Sequence, residues 1–458
     1  MKKLLIIATL AAVGMGACSK DDGVSAPEDL RKYVQVTIPE NAASGETRTS
    51  VDGTTTSWVA GYKVAVSLYN GSTTEVCEFT VDRTGATTTF SGSVPVGSYT
   101  CAAAHYPFCA ATFDAVNKTF THTWGDAYCS TDLAAYDFMF STVYETPFVV
   151  DETTTVLPIA LTFRPLMARI GMKLALGANE TPKYVTFTTD DNVLPTAGTV
   201  NADGTFSASA LTNSLTVETD RKEFTVGLLP VGVASKMSVH VTTTDGMTYS
   251  DKSFQLAGLK RNTHYTMNVP CRTKRFMLTV PDGVNSKYGT GTYKNNEFYS
   301  VDPATDPTGI FKDWYFYRAE LKNTTNTARG DKLKGKNRIQ LQVALGGNNS
   351  NNGAFVTAPI QCDGTKTVTV SFTAATNRAI SANYWIGVTD NGPITSDWLR
   401  DINKISPHAE GLIPRSDNVS HSHTFTVTNG QRIMMKVYSS GGGTPCHLEL
   451  ADFTYTVE

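Results

Sequence analysis

Short runs of alternating apolar and polar residues, broken by Gly, Asn, Asp and Pro, recur along the chain. Tyr33-Val34-Gln35-Val36-Thr37-Ile38, Lys63-Val64-Ala65-Val66-Ser67-Leu68, Lys366-Thr367-Val368-Thr369-Val370-Ser371 and Thr424-Phe425-Thr426-Val427 are examples. A period of two carried by β-branched and aromatic residues predicts half-buried strands. No stretch longer than about two turns keeps the i, i+3, i+4 spacing of an amphipathic helix. Short helical pieces are expected near Asp132–Met139 and Ser396–Ile405. The predicted fold class is all-β, with sandwiches or jelly rolls as the natural architecture.

Changes in the pattern divide the chain. Residues 1–17 are set apart as a signal and 18–31 as a polar tether holding Pro, Asp, Ser and Gly. Residues 32–152 and 153–270 are expected to form two consecutive β-sandwiches, and Pro270-Cys271-Arg272-Thr273-Lys274 a joint. Residues 275–458 differ in being richer in Asn, Gly and Trp and longer in their loops. Their roughly ten alternating runs suit a jelly-roll-like sandwich. Trp314-Tyr315-Phe316-Tyr317 is expected to be a strand covered on both faces.

Composition narrows the function classes. At 458 residues, 41% hydrophobic and 18% charged, the chain is long enough for several folded domains. Its formal charge is −3, and no basic stripe appears, so nucleic acid is not an expected partner. Lys2-Lys3, the apolar run Leu4–Ala17 and the small residues before Cys18 have the order of a secretory signal. Gly16-Ala17-Cys18 resembles the bacterial lipobox, which implies that the Cys18 thiol is acylated. Met15 stands where Leu is usual. Ser19-Lys20-Asp21-Asp22 looks like the export tag that carries Bacteroidetes lipoproteins to the outer face of the outer membrane. The expected location is a surface-exposed, lipid-anchored one. Seven cysteines besides Cys18 leave an odd thiol, and a bridge among Cys101, Cys109 and Cys129 is plausible from their spacing. Structural roles for these thiols are favoured over redox ones.

A family resemblance rests on pieces in order. They are Thr47-Arg48-Thr49-Ser50-Val51-Asp52-Gly53, Ser57-Trp58-Val59-Ala60-Gly61-Tyr62-Lys63-Val64-Ala65-Val66, Phe90-Ser91-Gly92 and Gly97-Ser98-Tyr99 through His105-Tyr106-Pro107. Phe163-Arg164-Pro165-Leu166-Met167-Ala168-Arg169-Ile170, Phe224–Pro230 and Asn262–Val269 complete the series. Together these resemble the Bacteroidales fimbrillin family of lipoprotein pilus subunits, over roughly residues 30–270. Tyr62 departs from the acidic residue usual after the Gly.

The resemblance implies two consecutive fimbrillin-like sandwiches and assembly by donor-strand exchange with other fimbrial subunits. In the family, a protease cuts after an Arg beyond the first strand, the strand leaves, and a neighbour's strand fills the groove. The matching strand here is Tyr33–Ile38, with Val34, Val36 and Ile38 on one face and Tyr33 on the other. The matching cleavage lies between Arg48 and Thr49. The outer membrane would be a partner, through lipid, only before that cut. The alternating end Phe453-Thr454-Tyr455-Thr456-Val457 looks built into its own sheet. A subunit that accepts a strand and donates none would sit at a fimbrium tip, with residues 275–458 as an adhesive domain.

Sugars need flat aromatic faces beside Asn, Asp or Arg. Tyr384, Trp385, Trp398, Asp397 and Arg400 offer that set for a glycan or protein receptor, with Trp398 the best single candidate, while packing of Trp385 and Trp398 into the core is the favoured reading. A non-polymerising, lipid-anchored glycan-binding protein is the alternative. His421 and His423 should share one strand face, though no third metal ligand is evident, and a solvated strand end is favoured. Asp190-Asp191-Asn192 is expected to be a turn. There is no G-x-S-x-G elbow, H-E-x-x-H helix or phosphate-cradling loop, so neither an enzyme nor a cofactor is expected.

Overall fold

The structure is a computed structural model that describes residues 30–38, 58–85, 87–281, 298–300, 310–325, 332–343, 352–376, 381–390, 392–414, 418–439 and 446–458. It is nearly all β, as the alternation predicts. Among the described residues, the helical pieces are Leu133–Tyr136, Ser396–Arg400 and the 3-10 turn Ile402–Lys404, inside the two places expected.

A seven-stranded sheet opens the chain. Its spatial order is Arg31–Ile38, Thr88–Pro95, Thr74–Val81, Lys63–Tyr69, Cys101–Tyr106, Met139–Ser141 and Phe163–Pro165. The core behind it is aromatic. Trp58 lies edge-on to Phe90 at 4.9 Å and to Phe163 at 5.1 Å between ring centres. That core runs past residue 152, because Leu157, Ile159, Leu161 and Phe163 belong to it. A second core joins residues on both sides of 152, from Phe113 and Phe120 to Phe187 and Val239. The strand Thr119–Thr123 pairs with Leu194–Asn201, so a shared sheet also crosses the expected division.

The second and third regions share a sheet too. Thr248–Leu256 pairs with Lys274–Met277 at Thr248 and Tyr249, and Lys274–Met277 pairs with Cys446–Val457. The expected joint therefore ends in a strand rather than a free linker. Lys274 is buried there between two carboxylates, with its Nζ 2.8 Å from Glu180 Oε1 and 2.9 Å from Asp245 Oδ2. The Tyr249 hydroxyl donates to the same Glu180 oxygen, and the backbone N–H of Gln361 donates to Asp245 Oδ2. Asp363 also accepts from the N–H groups of Ala178 and Asn179. Buried charges persist when paired and hydrogen-bonded, and this cluster meets both conditions.

The third core lies between two sheets. Phe276, Trp314, Phe316, Phe355 and Phe453 are all fully buried within it. The expected covered strand is shorter, Tyr315–Tyr317; Phe316, Tyr317 and the preceding Trp314 are fully buried, while Tyr315 is only half-buried. Cys77, Cys101, Cys109, Cys129, Cys271 and Cys362 are all unbridged, which corrects the expected pairing among Cys101, Cys109 and Cys129. They sit as small hydrophobes. Burial pushes the Cys129 thiol up to about 12, away from its reactive thiolate form.

Candidate functional site

The strand Arg31–Ile38 is an edge strand, and its alternation translates directly into burial. Val34, Val36 and Ile38 are at most 2% exposed, whereas Tyr33 is 66% exposed. One edge carries a full antiparallel ladder, from Arg31 opposite Pro95 to Ile38 opposite Thr88. The other edge meets the segment near Val156 through two backbone hydrogen bonds. Gln35 N–H donates to Thr155 O at 2.9 Å, and Leu157 N–H donates to Gln35 O at 2.8 Å. On this edge Lys32 Nζ also donates to Glu152 O, while Arg31 Nη2 donates to Ser93 O on the ladder side.

The seat of this strand is shaped by its neighbours. Val36 lies opposite Phe90, and Val34 lies opposite Gly92. Gly92 is needed because the Phe79 ring lies over it. A β-carbon at 92 would fall 2.6 Å from that ring. Phe90 is held by Trp58 and Phe163, neither of which is on the first strand. The aromatic part of the seat is thus built without the strand that fills it. Each of the three apolar side chains contributes about 1.5–3 kcal/mol by burial. Cys18, Arg48 and Thr49 lie outside the described residues.

A second candidate surface lies on the outer face of the six-stranded sheet in the third region. Tyr315, Trp385, Ile394 and Trp398 are partly buried against Tyr317, Val356, Leu399, Ile405 and Met434. Thr395 caps the Ser396–Arg400 helix by accepting from Trp398 N–H, which fixes the turn carrying Trp398. Asp397 and Arg400 form an ion pair at 3.2 Å. Trp385 stacks on His408 at 5.0 Å. Lys436 holds the helix from below, donating to Arg400 O at 2.7 Å. Burial, then Arg400, pulls its ammonium down to about 8 against the opposing pull of Asp401.

Tyr384 does not belong to that surface. Neighbouring residues on a strand face opposite ways, so Tyr384 and Trp385 cannot share a ligand. Tyr384 is fully buried and packs in the main core. Its hydroxyl lies 2.9 Å from His421 Nδ1 and 2.8 Å from His423 Nε2. Gly411, opposite it in the ladder, leaves room for the ring to reach them. The two imidazoles share one face as expected. They are half-buried, however, rather than at a solvated strand end. Desolvation lowers both, and His423 further lowers His421. Among the described residues, no group of three or more His, Cys, Asp and Glu side chains could hold a metal ion. Nor is any described helix long and apolar enough to cross a membrane.

Sequence reasoning missed His408 and Tyr315 as neighbours of Trp385 and Trp398. Their positions far apart in the chain gave no local signal.

Comparison with known proteins adds a family. The profile described as fimbrillin-like matches residues 47–283. A cell adhesion protein from Bacteroides uniformis is 18% identical over 53% of this chain and 94% of its own, with a TM-score of 0.35. The tip fimbrial protein Mfa3 from Porphyromonas gingivalis, truncated at its C-terminus, is 11% identical over 52% of this chain and 94% of its own, at 0.27. A xylan-binding domain from Paenibacillus barcinonensis is 11% identical over 40% of this chain and 92% of its own, at 0.21. A search of curated proteins finds no match.

Proposed function

This chain belongs to the fimbrillin-like family, and from that premise we propose that it is an adhesive subunit of a cell-surface fimbrium, seated at the tip. Cys18 is acylated once residues 1–17 are removed, which anchors the precursor at the outer membrane facing outward. Cleavage between Arg48 and Thr49 then frees the first strand, and a strand from a neighbouring subunit takes its seat.

The observation that carries this reading is the lopsided hold on Arg31–Ile38. Eight register pairs bind one edge and two backbone bonds the other. An emptied seat would present unpaired backbone groups beside an apolar groove, and both favour capture of a complementary strand. The tip assignment draws on Cys446–Val457, which is paired along both edges and so is not free to fill a neighbour. Residues 275–458 then supply the adhesive surface, with Trp385, Trp398, Asp397 and Arg400 as its contact residues.

The test uses the chain from Thr49 onward and a labelled peptide of the sequence Arg31–Ile38. Capture that survives dilution for hours is expected. A chain that folds yet never retains the peptide would sink strand exchange.

A second reading is favoured by the clustering of Trp385, Trp398 and Tyr315. It is a non-polymerising, lipid-anchored protein that binds glycans on that face. Quenching of tryptophan emission by oligosaccharides, lost in Trp398→Ala, together with retention of the first strand, would select it.

A further inference from the structure

The second sandwich has an opening that the strand-exchange reading does not use. The strand Thr248–Leu256 pairs with Ser235–Thr243 along one edge. On its other edge it meets Lys274–Met277 only at Thr248 and Tyr249. The strand His264–Val269 pairs with Ala168–Leu174 and ends its own sheet. Among the described residues, no strand takes the open edge of either from Ser250 to Leu256 or along His264–Val269. Phe254 and Leu256 from the first, and Tyr265 and Met267 from the second, line one cavity of about 530 Å³. Ile170 and Met237 add to its apolar lining.

A neighbouring cavity of about 420 Å³ shares Ala257, Gly258 and Leu259 with it and continues to Lys260 and Arg261. The charged residues lining the two are Lys252, Lys260 and Arg261, all basic. Arg261 lies against Gly204, where a β-carbon would fall 2.6 Å from its Nε. Its Nη1 is buried and has no hydrogen-bond partner among the described residues.

Each feature constrains the occupant. Open N–H and C=O groups on both sides ask for an extended backbone. Apolar walls ask for apolar side chains at alternate positions. Three basic side chains along the lining, Lys252, Lys260 and Arg261, with no acid among them, ask for a carboxylate, which makes the stronger charge-assisted bond. We propose that this groove binds an extended segment of a partner polypeptide, apolar at alternate positions and carrying an Asp or Glu at its Arg261 end. The site lies on other strands than the first and needs no cleavage, so it stands apart from the assembly reading.

The test titrates the full chain with fluorescein-labelled hexapeptides by anisotropy and follows bound amides by hydrogen exchange. The probes are Val-Thr-Val-Thr-Val-Asp, Asp-Val-Thr-Val-Thr-Val and their Lys-for-Asp counterparts. One acidic peptide should bind at least about tenfold tighter than its Lys counterpart, the scale of one charge-assisted bond. It should slow exchange in both Ser250–Leu256 and His264–Val269. Arg261→Gln should erase the preference while leaving the fold intact, since Thr263 bonds only the backbone carbonyl of residue 261. Absence of binding, protection elsewhere, or an unchanged preference in Arg261→Gln would overturn the proposal. So would slow exchange at both edges in the peptide-free chain, which would mean that a segment of this chain already fills the groove.

Discussion

Arg31–Ile38 and Cys446–Val457 are both alternating strands with their apolar faces in a core, yet they are held in opposite ways. The first carries one ladder and, on its other edge, two backbone bonds. The second is gripped by three strands: Arg338–Val343, Thr365–Thr376 and Lys274–Met277. Alternation fixes which face a strand buries, whereas the number of its partners decides whether it can leave. A strand bound mainly on one edge can part by breaking one ladder. A strand at the centre of a sheet must break the core on both sides.

That contrast can be broken from the central side first. Phe453 touches the rings of Phe355 at 5.3 Å and of Phe276 at 6.4 Å in a fully buried setting. Phe453→Ala should cost about 3–5 kcal/mol, read by urea unfolding. Hydrogen exchange should place the loss in the third region and leave Arg31–Ile38 unchanged.

Lys274 tests how firmly the second and third regions are joined. Lys274→Ala leaves Glu180 and Asp245 buried without their cation, at an expected cost of about 3–5 kcal/mol. The triple variant Lys274→Met, Glu180→Gln, Asp245→Asn should recover much of it. A single variant as stable as the parent would mean that the cluster does not hold the joint.

Acid should act on the first two regions through His105, which is fully buried and stacks on Phe138 at 5.7 Å. Desolvation lowers its pKa from 6.5 to about 4, with the Cys109 carbonyl opposing and His122 adding. The unfolded chain therefore takes up a proton that the folded chain refuses. Stability is whole above about pH 6.5 and falls towards pH 4, by roughly 3 kcal/mol at 1.36 kcal/mol per unit. His105→Phe should flatten this slope, measured as the urea midpoint against pH.

The smallest effect is expected on the first strand. Val36→Ala removes two buried methyl groups and should cost about 2 kcal/mol. The loss should appear as faster exchange in Arg31–Ile38 and its partner Thr88–Pro95, with the third region unmoved. Faster opening everywhere would mean that the first strand is as integral as the last.

Much of this was legible in the sequence, for physical reasons that differ by element. Val34, Val36 and Ile38 declared their face because a period of two has one meaning when one side is buried. The short helices near Leu133 and Trp398 stood out because alternation fails there. Tyr384 and Trp385 were not separable, since both are large aromatics and only the packed sheet decides which of two neighbours turns inward. Lys274 gave no sign of burial, because its carboxylates lie 94 and 29 residues away in the chain. The open edges of Thr248–Leu256 and His264–Val269 were equally hidden, for a strand's sequence does not state how many partners it finds.

The most direct test of the account is the N-terminus of the protein recovered from the native cell surface, by mass spectrometry. The account predicts that the polymerised form begins at Thr49, with the first strand gone. An acylated Cys18 as the only N-terminus found would contradict strand removal, and with it assembly by exchange.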